Sequence, residues 1–220
     1  MWEALVAHTR AQSRSGGMCL AACATFILAL GSGHAQAQQL ASLPAPTPRI
    51  ESFGAAKLIS GWVEFCHRAP GECAVDPDEP LTLTLTPKIW RVIVATNRAV
   101  NATIKPITDQ EHWGVGDRWD IPEDGYGDCE DAQLLKRKLL VKVGLPRRAL
   151  RMTVVIDDKG EGHAVLMVRT DRGDFILDNK QTSVLPWNLT EYRFVKRESD
   201  DGRSWVSLGG VESPLATADY

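Results

Sequence analysis

The chain has 220 residues, 44% hydrophobic and 24% charged, the proportions of a globular protein, which exclude a disordered one. Lys and Arg total 25 against 28 Asp and Glu, a formal net charge of −3, so no basic field exists and nucleic acid is not expected as a partner. The length suits one ordinary domain, and five cysteines are too few for a disulfide-built miniprotein.

The first segment reads as an export signal. Arg10 and Arg14 precede an apolar run over 18–30, Gly31-Ser32-Gly33-His34 breaks it, and Ala35-Gln36-Ala37 supplies the small residues of a cleavage site. That order predicts a secretory signal peptide over residues 1–37, its apolar run too short to span a bilayer. The expected mature chain is periplasmic or secreted, without membrane insertion, and keeps Cys66, Cys73 and Cys129. An odd cysteine count in an oxidising compartment points to one bridge and one free thiol. Cys66 and Cys73 flank a Pro70-Gly71 turn that can bring them together, which leaves Cys129 over.

Residues 38–49 carry three prolines and read as a flexible lead-in, followed by one domain over 50–220. A short helix is expected over 57–65. Thr86-Pro87 has the pattern of an N-cap followed by proline at the first helical position, and Ile89, Ile93, Val100 and Ile104 carry that helix to about residue 103. Residues 105–128 are polar, with Trp113, Trp119, Pro122, Gly125 and Gly127, and predict a long functional loop. A second helix runs from Cys129 to the Gly144-Leu145-Pro146 stop, with Ala132, Leu135, Leu139 and Val143 as its expected buried stripe. Strands follow at 150–156, 163–169, 175–178, 192–196 and 205–208. Helices first and antiparallel strands afterwards predict an α+β domain.

Cys129 at a helix start meets the positive end of the helix dipole, which favours thiolate, and the unpaired N–H groups there suit an oxyanion. The neighbouring carboxylates Asp128, Glu130 and Asp131 oppose this, because like charge raises a thiol pKa. Either these acids simply decorate a helix N-terminus, or a bound cation resolves the conflict; hard oxygen ligands such as Asp128 and Glu130 suit Ca²⁺. A nucleophilic thiol needs a base. His67 lies in the cysteine-flanked turn and His112 in the polar loop, whereas His163 opens a strand. If the turn at Asp171-Arg172 is a two-residue hairpin, Asp178 faces Val165 and lies diagonally beside His163 on the same sheet face, the face toward the Cys129 helix. A three-residue loop separates them.

Gly127-Asp128-Cys129-Glu130-Asp131, then His163-Ala164-Val165-Leu166, then Leu177-Asp178-Asn179, with the upstream Trp113-Gly-x-x-Asp117-x-Trp119-x-x-Pro122-Glu123, resemble the bacterial transglutaminase-like cysteine peptidases, the family of the LapG-type periplasmic proteases. The likeness spans residues 50–208. It implies a papain-like, transglutaminase-like core: N-terminal helices followed by an antiparallel sheet. It also implies Cys129 as nucleophile, His163 as base, Asp178 as its orienting partner, and calcium on Asp128 and Glu130. The implied substrate is a large surface adhesin, cut at a pair of alanines to disperse a biofilm, and the implied regulator is an inner-membrane receptor responsive to cyclic-di-GMP. The family often continues its motif Asp-Tyr-Ala, whereas this chain reads Asp131-Ala132-Gln133. Trp119 is considered as a second oxyanion donor, with a packing aromatic as its other reading. The same triad serves a transglutaminase or deamidase, and a non-catalytic periplasmic binding domain is the third alternative. The intact triad favours a thiol endopeptidase.

Overall fold

The computed structural model describes residues 42–209. The expected signal peptide over 1–37, the start of the lead-in, and residues 210–220 of the expected domain lie outside the described residues. In chain order come β1 (Ala55–Ala56), α1 (Ser60–Arg68), α2 (Pro70–Cys73), α3 (Pro87–Thr103), β2 (Lys105–Pro106), α4 (Asp109–His112), β3 (Tyr126–Gly127) and α5 (Cys129–Lys142). Then follow β4 (Leu150–Ile156), β5 (Gly162–Thr170), β6 (Gly173–Leu177), β7 (Leu185–Pro186), β8 (Arg193–Glu198) and β9 (Trp205–Ser207). The α+β expectation holds: the longer helices precede a seven-stranded antiparallel sheet in the order β1-β9-β8-β4-β5-β6-β7.

Local chemistry accounts for most of the boundaries. Thr86 caps α3, its hydroxyl accepting from Ile89 N at 3.2 Å with Pro87 next in line. α1 begins later than expected because residues 57–59 precede it without helix and Ile59 is buried there. Cys66 in α1 and Cys73 at the end of α2 form the expected disulfide, with Cα atoms 5.5 Å apart. The 105–128 segment is an ordered excursion. β2 and β3 pair in parallel, so its two ends meet immediately before Cys129, and a Thr108/Glu111 capping box starts α4 within it.

α5 departs from the expected stripe. Leu139 and Val143 are exposed, Leu135 is half-buried, and the face turned inward carries Ala132, Gln133, Lys136, Arg137 and Leu140. Arg137 is tolerated there because a partner awaits it, whereas Lys136 Nζ and Gln133 Oε1 are buried without a hydrogen-bond partner. Arg137 Nη1 reaches both oxygens of Glu198 at 2.8 and 2.7 Å, and that carboxylate also accepts from Trp62 Nε1 at 2.7 Å and Met152 N at 2.9 Å. A buried ion pair with every oxygen occupied offsets its desolvation, whereas removing one partner from such a pair costs about 3–5 kcal/mol. The main core lies between the helices and one sheet face, around Trp62, Trp90, Trp119, Leu134, Leu166 and Phe175; a smaller core of Val155, Val165, Met167, Ile176 and Phe194 covers the other face.

Candidate active site

Four strands bring their polar ends to one end of the sheet: β4 and β6 finish there, and β5 and β8 begin there. The β5–β6 hairpin has a two-residue turn, with Thr170 opposite Gly173 and Leu166 opposite Leu177. That register sets Asp178 diagonally beside His163 on one face, and His163 Nε2 lies 2.8 Å from Asp178 Oδ1. Both side chains are almost completely buried. Asp178 Oδ1 also accepts from Lys180 N at 2.9 Å and Oδ2 from the Tyr192 hydroxyl at 2.5 Å, while Asn101 Nδ2 holds the Asp178 carbonyl at 2.8 Å. Burial pushes the Asp178 carboxyl up, but the hydrogen bonds from His163, Tyr192 and Lys180 outweigh it and hold the group below the ordinary carboxylate range. Burial and the Asp178 charge push the Tyr192 hydroxyl far above its usual range, so it stays a donor.

The face differs from the expectation. His163 and Asp178 share the parity of Val165 and Ile176, whose side chains belong to the smaller core away from the helices. Cys129 approaches instead through the strand backbone: Ala164 N–H donates to its Sγ at 3.4 Å. Asp178 engages Nε2 of His163, which leaves Nδ1 as the ring nitrogen outside that contact. Cys129 is half-buried and unbridged among the described residues.

On its other side Cys129 meets acids. Its thiol lies 2.9 Å from Glu130 Oε2. Carboxylates of Asp109, Asp117, Asp128, Glu130 and Asp131 form overlapping groups whose ligand atoms lie within 4.8 Å of one another. Asp128 and Glu130 were named from the sequence; Asp131 was noted there only as a neighbouring acid, Asp117 only as a motif position, and Asp109 gave no signal. Burial, then mutual repulsion, raises Asp128 to about 6 and Asp131 to about 8, and lifts Glu130 well above the ordinary range. Burial and the charges of Glu130 and Asp128 push the Cys129 thiol up as well. One oxygen each of Asp117 and Asp128 is buried without a hydrogen-bond partner. Gly61 and Gly127 make room for this packing: a Cβ would come within 2.5 Å of Asp117 Oδ2 at the first and 2.7 Å of Asp131 Oδ2 at the second. Orphaned, crowded carboxylate oxygens are the donor set that a hard divalent cation satisfies.

Among the described residues, the two other histidines stay apart from this site. His112, in α4, pairs with Asp124 at 2.9 Å, and His67 is exposed. Trp119 is a packing aromatic, its ring buried in the main core and its Nε1 donating to Asp117 Oδ1 at 3.1 Å.

Among solved structures, LapG of Legionella pneumophila is 25% identical over 59% of this chain and 73% of its own, with a TM-score of 0.48. A calcium-bound form of the same protein is 24% identical over 61% of this chain and 86% of its own, with a TM-score of 0.43. No curated protein matches. The sequence pattern of the bacterial transglutaminase-like cysteine proteinases (BTLCP) matches residues 53–213, most of the chain. The chain therefore belongs to the bacterial transglutaminase-like cysteine proteinases and is a cysteine peptidase.

Proposed function

We propose that this chain is an exported cysteine endopeptidase in which Cys129 is the nucleophile, His163 the general base and Asp178 the group that orients it. The observation that carries the reading is the hydrogen-bonded His163–Asp178 pair at the sheet end where the Ala164 amide reaches the Cys129 sulfur. His163 takes the thiol proton, the thiolate attacks the scissile carbonyl, and the C–N bond breaks as the imidazolium protonates the leaving amine. Water, deprotonated by the same imidazole, then hydrolyses the thioester. Backbone N–H groups in the first turn of α5 face the developing oxyanion. Asp178 keeps Nε2 occupied, so Nδ1 handles each proton.

Asp128 and Glu130, joined by Asp109, Asp117 and Asp131, would hold a calcium ion. The ion supplies positive charge that neutralises the carboxylates beside the thiol and so favours thiolate. The family resemblance extends the reading to a periplasmic enzyme released from a leader over 1–37. Residues 50–220 form its catalytic domain, a large surface adhesin is its substrate in biofilm dispersal, and an inner-membrane receptor is its regulator. No helix among the described residues is long and apolar enough to cross a membrane. The direct test is incubation of the chain, and of Cys129→Ala, with an adhesin N-terminal fragment carrying an Ala-Ala pair. Cleavage between the alanines by the unmodified chain alone supports the reading; cleavage by Cys129→Ala rejects it.

A further inference from the structure

Tyr192 lies outside every motif read from the sequence, directly ahead of β8. β8 is separated from β5 by β4 in the sheet. Its hydroxyl nevertheless crosses the end of β4 to reach Asp178 Oδ2 at 2.5 Å, and its ring stands edge-on to His163, centroids 5.7 Å apart at 67°. Among the described residues it is the donor that reaches Oδ2; the other oxygen is taken by His163 and the Lys180 amide. The ring borders a cavity of about 620 Å³ that it shares with Trp187 and Phe194, while the hydroxyl donates to the carboxylate. A carboxylate has two equivalent oxygens and turns about one bond. With Oδ2 unheld, only the bonds from His163 and the Lys180 amide to Oδ1 resist rotation of the carboxylate.

We propose that Tyr192 is a positioning residue: its hydroxyl locks the Asp178 carboxylate so that Oδ1 stays on His163 Nε2 and Nδ1 stays turned to Cys129. This rests on the triad reading above. It excludes a purely space-filling role, because phenylalanine would fill the same volume and leave the carboxylate unlocked. The charged groups around the pair are few: Lys136 in α5 acts on Asp178 from the helix side, Lys180 follows β6, and Asp157 and Asp158 follow β4. None of them occupies Oδ2 in place of the hydroxyl.

The test is a double-mutant cycle of Tyr192→Phe and Asp178→Asn, assayed on a peptide carrying the Ala-Ala pair, with thermal melts confirming folding. Tyr192→Phe is expected to lower kcat about tenfold with KM nearly unchanged, and to move the alkaline limb of the rate profile in the same direction as Asp178→Asn but less far. Placed on Asp178→Asn, it is expected to change the rate less than about twofold. A Tyr192→Phe enzyme with unmodified kcat and pH profile, beside an impaired Asp178→Asn, overturns the proposal and leaves the triad standing. So does a full tenfold loss that persists on Asp178→Asn. An unimpaired Asp178→Asn overturns the triad itself, and the proposal with it. Should Tyr192→Phe fail to fold, proton NMR of the unmodified chain decides. A downfield Tyr192 hydroxyl proton that moves in Asp178→Asn supports the lock, and one that does not move rejects it.

Discussion

Two polar clusters flank Cys129, and they handle charge in opposite ways. At the sheet end, each charged or polar group finds a complement: His163 and Tyr192 on Asp178, and Lys180 Nζ on Asp157 at 2.8 Å. Around the first turn of α5, carboxylates crowd one another, and oxygens of Asp117 and Asp128 stay buried without partners. The first cluster pairs its charges within the chain; the second holds like charges together, and burial and repulsion raise their pKa values. The difference separates preorganised geometry at the sheet end from unbalanced charge beside the thiol, the imbalance that the calcium proposal addresses.

The largest effects test whether the two clusters serve one sulfur. Cys129→Ala is expected to abolish hydrolysis, a loss of at least about a thousandfold, with a melting temperature close to that of the unmodified chain. Activity in that variant breaks the comparison at its root.

Removing calcium with EGTA is expected to cut activity and lower Tm, and restoring it to reverse both. At a hundredfold excess over Kd the ion adds about 2.7 kcal/mol, or roughly 5–10 °C for a chain of this size. A melt insensitive to chelation and calcium removes the cation from this account. Asp117→Asn should weaken that response while leaving the His163–Asp178 contact intact.

Acidity then distinguishes the clusters by sign. In the calcium-free chain, Asp128 and Asp131 are raised, to about 6 and about 8, so the folded state binds their protons more tightly than the unfolded chain. Stability is therefore expected to fall as pH rises from about 4 to about 8, and Tm with it. Calcium should flatten this slope. Asp157 is lowered to about 2, with Lys180 as the main cause, and Asp178 is also lowered. Their contribution is present above about pH 4 and is lost as pH falls toward 2. Urea midpoints against pH, with and without EGTA, read both windows. The smallest expected effect is Asp157→Asn, which loosens the Lys180 contact beside Asp178: about a two- to threefold drop in kcat, below that of Tyr192→Phe, with Tm changing by no more than about 2 °C.

Much of this was legible from local sequence. The Thr86-Pro87 helix start, the strand runs and the two-residue turn at Asp171-Arg172 rest on neighbours a few residues apart, and short-range chemistry decides them. The α5 stripe was misread because hydrophobic periodicity assumes that charged side chains face water. Arg137 turns inward to meet Glu198, a residue of β8 that no helical period reveals. Asp117 stood in a visible tryptophan-rich motif, a signal that was available. Asp109 and Tyr192 carried none, because neither sits in a motif or a strand register that points to its partner; the fold of the 105–128 segment brings Asp109 to the acids, and the sheet end brings Tyr192 to Asp178.

What the sequence determined by itself was the set of candidate reactive groups and their order: one thiol left over at a helix start, one histidine opening a strand, one aspartate in register with it, and acids beside the sulfur. What only the tertiary structure decided was where those groups face and what completes them. His163 and Asp178 share the strand parity of the smaller core, the Ala164 amide donates to the Cys129 sulfur, and the Tyr192 hydroxyl reaches Asp178 over the sheet end. Alternation along a strand sets which residues share a face, but which face the helices cover depends on burying the most apolar surface, and that balance is struck over the whole chain.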